Sequence, residues 1–320
     1  MASSARTPRT PQTPSSTPKR ATIAEPGDLP LTFFDVTATD GTVLRAWDNG
    51  VSDRSAPTVL LCNGLGTNPY CWPALLDPEC GVRVISWNHR GVGGSERPAD
   101  PSRCGIDAFV EDAVALLDHL GIESCPVMGW SMGVNTMFEL AYLHPERATG
   151  LFAVGGVPGG TFSSMLAPLG VPRFARAPIT VNAARAMKIA GGPLTLMARN
   201  VPTGPLAMEV LTHSGFMLPT PDLDDTGRAI AEFLTTPIDW YMHLALATSK
   251  HVRVSLRNIA VPTAFVAGKY DVLASSKDMR TASERIEGAT YVELPSSHFM
   301  SLERPTEVHD LLLDLLDRVS

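Results

Sequence analysis

Two stretches near the start of the chain, LTFFDVTAT and TVLRAWDN, alternate apolar and polar residues on either side of Asp40-Gly41, the pattern of a β-hairpin. Short apolar runs then recur along the chain: TVLLCNG from Thr58, VRVISWN from Val82, PVMGW, ATGLFAVGG, PTAFVAGKYD and TYVELP. Gly, Pro, Asn or Asp closes most of them, and each reads as a buried strand. Between them the apolar period changes to that of a helix. In GIDAFVEDAVALLDHLGI, Phe109, Val110, Val114, Leu117 and Leu120 return at helical spacing, and Gly121 stops the run. GVNTMFELAYLHP reads as the next helix, ended at His144-Pro145; another begins near Ser275, and RPTEVHDLLLDLLDRV closes the chain. Strands alternating with helices imply parallel βαβ units, with helices on both faces of one sheet.

The alternation lapses between residues 158 and 258, which are apolar and helical in pattern with Pro and Gly breaks. About a hundred residues are too many for a plain loop, so the segment is expected to be a helical lid subdomain inserted into a core of residues 29–157 and 259–320. Residues 1–28 are different material. Thr-Pro recurs four times, at Thr7, Thr10, Thr13 and Thr17, with almost nothing apolar to bury, so a disordered tail is expected. Its Arg, Ser and Thr, with no acid before Glu25, resemble an organelle transit peptide, but the prolines forbid the amphipathic helix such a peptide needs. An extended Pro-rich tail also leaves open a role in recruiting a partner.

Composition narrows the classes. The chain has 320 residues, 44% hydrophobic and 18% charged, enough for one large α/β domain with an insertion. A net charge of −7 without a dense Lys/Arg run argues against a nucleic-acid surface, and no apolar stretch reaches the length of a membrane span. The five cysteines, Cys62, Cys71, Cys80, Cys104 and Cys125, form no C-x-x-C pair; free thiols in a cytoplasmic, reducing setting are expected, with one disulfide left open. Cys62 ends an apolar strand and reads as a small core residue.

The chemistry gathers at MGWSMGVNTM. Ser131 stands between Gly129 and Gly133, where an apolar strand turns into a helix. A glycine-x-serine-x-glycine quintet alone is a weak signal, and a Gly-rich turn with an incidental serine is its plain alternative. The strand before and the helix after make it a nucleophile elbow, which presents a hydroxyl beyond the carboxyl end of a strand. Such a hydroxyl needs a base. Of the eight histidines, His119 and His144 lie at helix ends and His309 is expected to face solvent on the last helix. His298, in SSHFMSLERP after TYVELP, lies where a parallel sheet places its site. Asp271, in FVAGKYDVLAS, lies beyond another buried strand, whereas the preceding strand runs into GGVPGGTF without a carboxylate. The order Ser131, Asp271, His298 differs from the chymotrypsin and subtilisin orders.

With GWSMG, GKYD, SSHF and NHRGVGGSERP in this order, the chain from about Leu31 onward resembles the α/β-hydrolase fold family, in its serine-nucleophile esterase branch. The resemblance implies a mostly parallel eight-stranded sheet with flanking helices, and a helical lid after strand six. It also implies an oxyanion hole made by the backbone N–H of Met132 and of Leu65, in the loop CNGLGTN. This loop carries Asn63-Gly64 where the family commonly has His-Gly; backbone donors do not depend on that side chain. Trp130 flanks the nucleophile as a packing residue. Six of the twelve methionines, Met165, Met187, Met197, Met208, Met217 and Met242, fall in the insert, either sealing its own core or lining an apolar pocket. Asn63, Trp130, Met165 and Met217 are the candidate substrate-binding side chains.

The expected activity is a carboxylesterase-like serine hydrolase that cleaves a small-molecule ester or related acyl substrate with an apolar portion, with no cofactor or metal. The same triad serves C–C bond hydrolases, thioesterases, acyltransferases and cofactor-free haloperoxidases or perhydrolases, and the resemblance does not separate these. Serine at 131 argues against the aspartate nucleophile of the family's epoxide hydrolases and dehalogenases. A non-catalytic ligand-binding protein on the same fold is the reading from another class.

Overall fold

The structure, a computed structural model, describes residues 30–252 and 254–319; the tail expected at residues 1–28 lies outside the described residues. The strands are β1 (Thr32–Thr37), β2 (Val43–Asp48), β3 (Thr58–Cys62), β4 (Arg83–Trp87), β5 (Cys125–Trp130), β6 (Ala148–Val154), β7 (Thr263–Gly268) and β8 (Thr290–Leu294). They form one sheet in the order β1-β2-β4-β3-β5-β6-β7-β8. β2 pairs antiparallel with both β1 and β4, and every other pairing is parallel. The β1–β2 hairpin keeps the register set by Asp40-Gly41, with Thr37 opposite Val43.

The helices are α1 (Pro73–Leu76), α2 (Ile106–His119), α3 (Gly133–Leu143), α4 (Thr161–Ser164), α5 (Arg173–Ile189), α6 (Gly191–Ala198), α7 (Pro205–Thr212), α8 (Leu223–Phe233), α9 (Ile238–Thr248), α10 (Ser276–Ser283), α11 (Met300–Glu303) and α12 (Pro305–Val319). Helices α4–α9 occupy the interval between β6 and β7. The strand period of two divides the core into two layers. Leu60, Ile85 and Val127 pack with Phe109 and Leu116 of α2, Phe138 of α3 and Met279 of α10. Their neighbours Val59, Leu61, Val84 and Met128 pack on the other face, with Leu75 of α1 and Val308, Leu312, Leu315 and Leu316 of α12. All five cysteines are free and buried.

One histidine departs from expectation. His309 is buried, at 5% exposure, instead of facing solvent. It follows Val308 and precedes Leu312 by three positions, so it sits on the edge of α12's apolar stripe, and the stripe presses it against the sheet. Burial lowers its pKa accordingly.

Candidate active site

Ser131 sits at the break between β5 and α3. Its amide still donates to Val154 O on β6 at 2.9 Å, while its carbonyl already accepts from Val134 N at 3.2 Å. Both bonds are met only with the backbone in the left-handed region, at φ 54°. The two flanking glycines are required by space. A Cβ at Gly133 would lie 1.8 Å from Cys62 O, and one at Gly129 would lie 2.8 Å from Val134 Cα. The packing of the helix onto β3 and β5 therefore rests on absent side chains, and it sets the serine ahead of the N-terminus of α3.

His298 follows β8 and Asp271 follows β7, and the structure brings both to the serine. His298 Nδ1 lies 2.8 Å from Asp271 Oδ2, and Nε2 lies 2.8 Å from Ser131 Oγ. Asp271 is 1% exposed, and its second oxygen accepts from Leu273 N at 2.7 Å and Ala274 N at 2.8 Å. A carboxylate so held accepts the proton of Nδ1–H, which leaves the Nε2 lone pair facing the Ser131 hydroxyl. Trp130 Nε1 donates to His298 O at 3.2 Å, and its ring lies 5.8 Å from the imidazole. Its indole thus braces the histidine.

Asn63 is 2% exposed and committed within its own loop. Its Oδ1 accepts from Gly64 N and from Trp72 Nε1, both at 3.0 Å, and its Nδ2 donates to Asn68 O at 3.3 Å. The N–H groups of Leu65 and Met132, in contrast, donate to no protein acceptor among the described residues. Met165 is partly buried against the cluster that holds Leu65 and Met132. Met217 is fully buried in the other layer, with Met128, Trp130 and Met300. Met187 and Met197 lie at the surface. Burial raises the Cys62 thiol, which suits a core residue. No group of three or more His, Cys, Asp or Glu among the described residues is arranged to hold a metal ion.

Four features escape the sequence reading. Glu303, at 4% exposure, accepts from Ser297 N at 2.7 Å, from Ser297 Oγ, and from Leu218 N of the insert at 2.8 Å. Arg90, fully buried, pairs with Asp112 at 2.7 Å and with Asp40. Trp240 of α9 donates to Arg90 O at 2.8 Å, and the Arg97 guanidinium lies 4.2 Å over its ring. The Tyr241 ring crosses Gly66, where a Cβ would lie 2.8 Å away, and burial pushes its phenol up to about 12. For Trp240 and Tyr241 the signals in sequence are the glycines Gly91 and Gly66, which make room for these aromatic rings.

A family profile described as alpha/beta hydrolase fold matches residues 57–177. Epoxide hydrolase A of Mycobacterium tuberculosis is 28% identical over 318 residues, covering 87% of this chain and 95% of that protein. 3-Oxoadipate enol-lactonase 2 of Acinetobacter baylyi is 28% identical over 284 residues, covering 85% and 92%. Among solved structures, an esterase from Exiguobacterium antarcticum superposes with a TM-score of 0.69 at 18% identity, over 89% of this chain and 100% of that one, a likeness of fold.

Proposed function

We propose that the chain, whose residues 57–177 match the alpha/beta hydrolase fold profile, is a serine hydrolase of that family acting on an ester or related acyl substrate with an apolar portion. The observation that carries the reading is the unbroken line Asp271–His298–Ser131, with two contacts of 2.8 Å, at a serine of intermediate exposure. Ser131 Oγ bonds to the substrate carbonyl carbon as its proton passes to His298 Nε2. The oxygen that becomes negative takes hydrogen bonds from the unspent N–H groups of Leu65 and Met132, and Asp271 stabilises the imidazolium. His298 returns the proton to the leaving oxygen. Water then loses a proton to His298 and attacks the acyl carbon, and His298 returns that proton to Ser131 Oγ as the acyl–oxygen bond breaks.

The relative named an enol-lactonase supports the ester reading, since a lactone is a cyclic ester. The relative named an epoxide hydrolase speaks for the other branch, and serine at position 131 argues against its carboxylate nucleophile here. We read residues 158–258 as a lid over the serine. An organophosphonate probe should label the wild type and not Ser131→Ala; labelling that survives the substitution places the nucleophile elsewhere. Each buried methylene contributes roughly 0.8 kcal/mol, so extending a p-nitrophenyl ester from about two to about six acyl carbons should raise kcat/KM by one to two orders of magnitude. A steady fall with every added carbon would remove the apolar pocket and leave the triad in place.

A further inference from the structure

Ten of the sixteen large apolar side chains exposed on the described surface fall between Leu169 and Val210, within the insert. On α5 the residues Phe174, Pro178, Asn182, Arg185 and Ile189 recur at i, i+4, i+8, i+11 and i+15, so they share one stripe, and all are exposed. Phe174 is 84% exposed and Ile189 89%. Ala190 joins this helix directly to α6, which turns Leu196 and Met197 outward at 68% each. Large apolar side chains gathered on one exposed face mark an interaction surface.

The charge of the same segment is equally one-sided. Residues 148–208 contain Arg173, Arg176, Arg185, Lys188 and Arg199 and neither Asp nor Glu, in a chain whose net charge is −7. None of the five reaches a carboxylate among the described residues, so each is free to meet an external anion. Lys188 meets only the imidazole of His243, and Arg185 only the side chain of Asn182. Cations interleaved with exposed aromatic and aliphatic side chains are the composition of a helix that lies in an anionic lipid interface.

We propose that the outer face of α5 and α6 docks on an anionic lipid surface, with Phe174, Ile189, Leu196 and Met197 entering the headgroup boundary and Arg173, Arg185, Lys188 and Arg199 meeting lipid phosphates. Two other occupants fit less well. A second copy on a two-fold axis would set the same cations opposite one another with no acid between them. The amino-terminal 29 residues carry Arg6, Arg9, Lys19 and Arg20 and little that is apolar, so they repeat the sign of the face and lack the side chains to cover it. The inference does not depend on the triad, because docking is read without turnover.

The test is flotation of the full chain with vesicles of phosphatidylcholine alone and of phosphatidylcholine with about one-third phosphatidylglycerol. Binding is expected to the second only, and to fall steeply as salt rises to about 1 M. Arg185→Gln with Lys188→Gln should weaken it by on the order of thirtyfold, about fivefold per cation being lost with some spread. Phe174→Ser with Ile189→Ser should weaken it by tenfold or more. All four positions are exposed, so thermal melting is expected to be unchanged. Equal binding to both vesicles, or none to either, overturns the proposal. So does a lipid-free dimer, seen by light scattering, that the serine pair dissolves, since the face then belongs to a second copy.

Discussion

Glu303→Gln is the substitution whose outcome the geometry fixes most closely. The wild-type carboxylate accepts three hydrogen bonds in a site 4% exposed, two from backbone amides and one from the Ser297 hydroxyl. Glutamine has the same shape but turns one oxygen into a donor. If its nitrogen takes the place of Oε2, it faces Ser297 N–H across 2.7 Å. If it takes the place of Oε1, it faces Leu218 N–H across 2.8 Å. The hydroxyl can turn and accept, and a backbone amide cannot, so either orientation leaves a buried N–H opposite a donor. That defect costs about 1–3 kcal/mol, and the loss of charge-assisted bonds adds to it, so the expected destabilisation is about 2–4 kcal/mol.

Urea denaturation followed by intrinsic fluorescence measures this as a lower midpoint at unchanged slope. Catalysis gives a second readout. Ser297 immediately precedes His298, so loosening its amide lets the imidazole shift from Ser131, and kcat should fall about tenfold to a hundredfold with KM little changed. A Glu303→Gln protein as stable as wild type would refute the hydrogen-bond accounting. One that is destabilised but fully active would refute Glu303 as a positioning residue for the histidine.

Three further outcomes follow from the site. Ser131→Ala and His298→Ala should be about equally inactive and the double variant little worse; losses that multiply in an ester assay would mean that the two do not act as a unit. Gly133→Ala would press a Cβ to 1.8 Å of the Cys62 carbonyl, so the helix must move off the sheet; the expected loss exceeds about 3 kcal/mol, and a melting point near that of wild type would refute it. His89 is 2% exposed, its Nδ1 has no partner among the described residues, and burial lowers its pKa from 6.5 to about 4. A base with a lowered folded pKa takes up a proton on unfolding, so stability falls as pH drops below 6.5 and levels off below about 4. This amounts to about 2 kcal/mol by pH 5, and His89→Phe, which removes the titrating ring, should lose that part of the slope in unfolding curves at several pH values.

The parts of this molecule legible in sequence are those in which local pattern and position coincide. β3, β5 and β7 are short apolar runs closed by a turn residue, and each closing segment carries residues of the proposed site: Asn63 to Thr67, Ser131, and Asp271. The two glycines around Ser131 are readable because the clash they avoid lies with neighbours that every strand–turn–helix of this kind brings close. Arg90 was quotable as part of a motif, but its partners Asp40 and Asp112 come from a hairpin turn and from α2, and no local pattern pairs them. Two of the six methionines depart from expectation for another reason. Helical spacing says that α5 and α6 have an apolar face and cannot say whether that face turns to the serine or to the outside, and Met187 and Met197 turn out. His309 shows the reverse error: one polar residue beside an apolar stripe goes where the stripe goes.

The contacts between residues 158–258 and the loops around Ser131 fall unevenly, and that sets which of these helices open most readily. α9 roofs two of the loops directly: Trp240 donates to Arg90 O, and Tyr241 covers Gly66. The histidine loop is tied to the insert through Glu303 and Leu218 N. α4 is tied through Asn135 to Thr161 and through Ser164 to Ser275. The side-chain hydrogen bonds of α5 and α6, by contrast, run within the insert, to Ser163, Phe162, His243 and Ile238. Lifting α9 breaks one buried hydrogen bond and exposes two large aromatic rings, about 4–7 kcal/mol at roughly 1 kcal/mol for the bond and 1.5–3 kcal/mol for each ring. Displacing α5 and α6 breaks no hydrogen bond to a site loop; it uncovers small side chains such as Ala177 and Val181 and leaves Trp240 on Arg90 and Tyr241 over Gly66 in place. Local opening should therefore be graded, with the outer helices cheaper to move than α9. Amide hydrogen exchange measures this directly: residues 240–248 should exchange about a hundredfold or more slower than residues 174–197, a difference of about 3 kcal/mol. Equal protection across residues 174–248 would mean that these helices open together, and the aromatic contacts of α9 would then not set the order of opening.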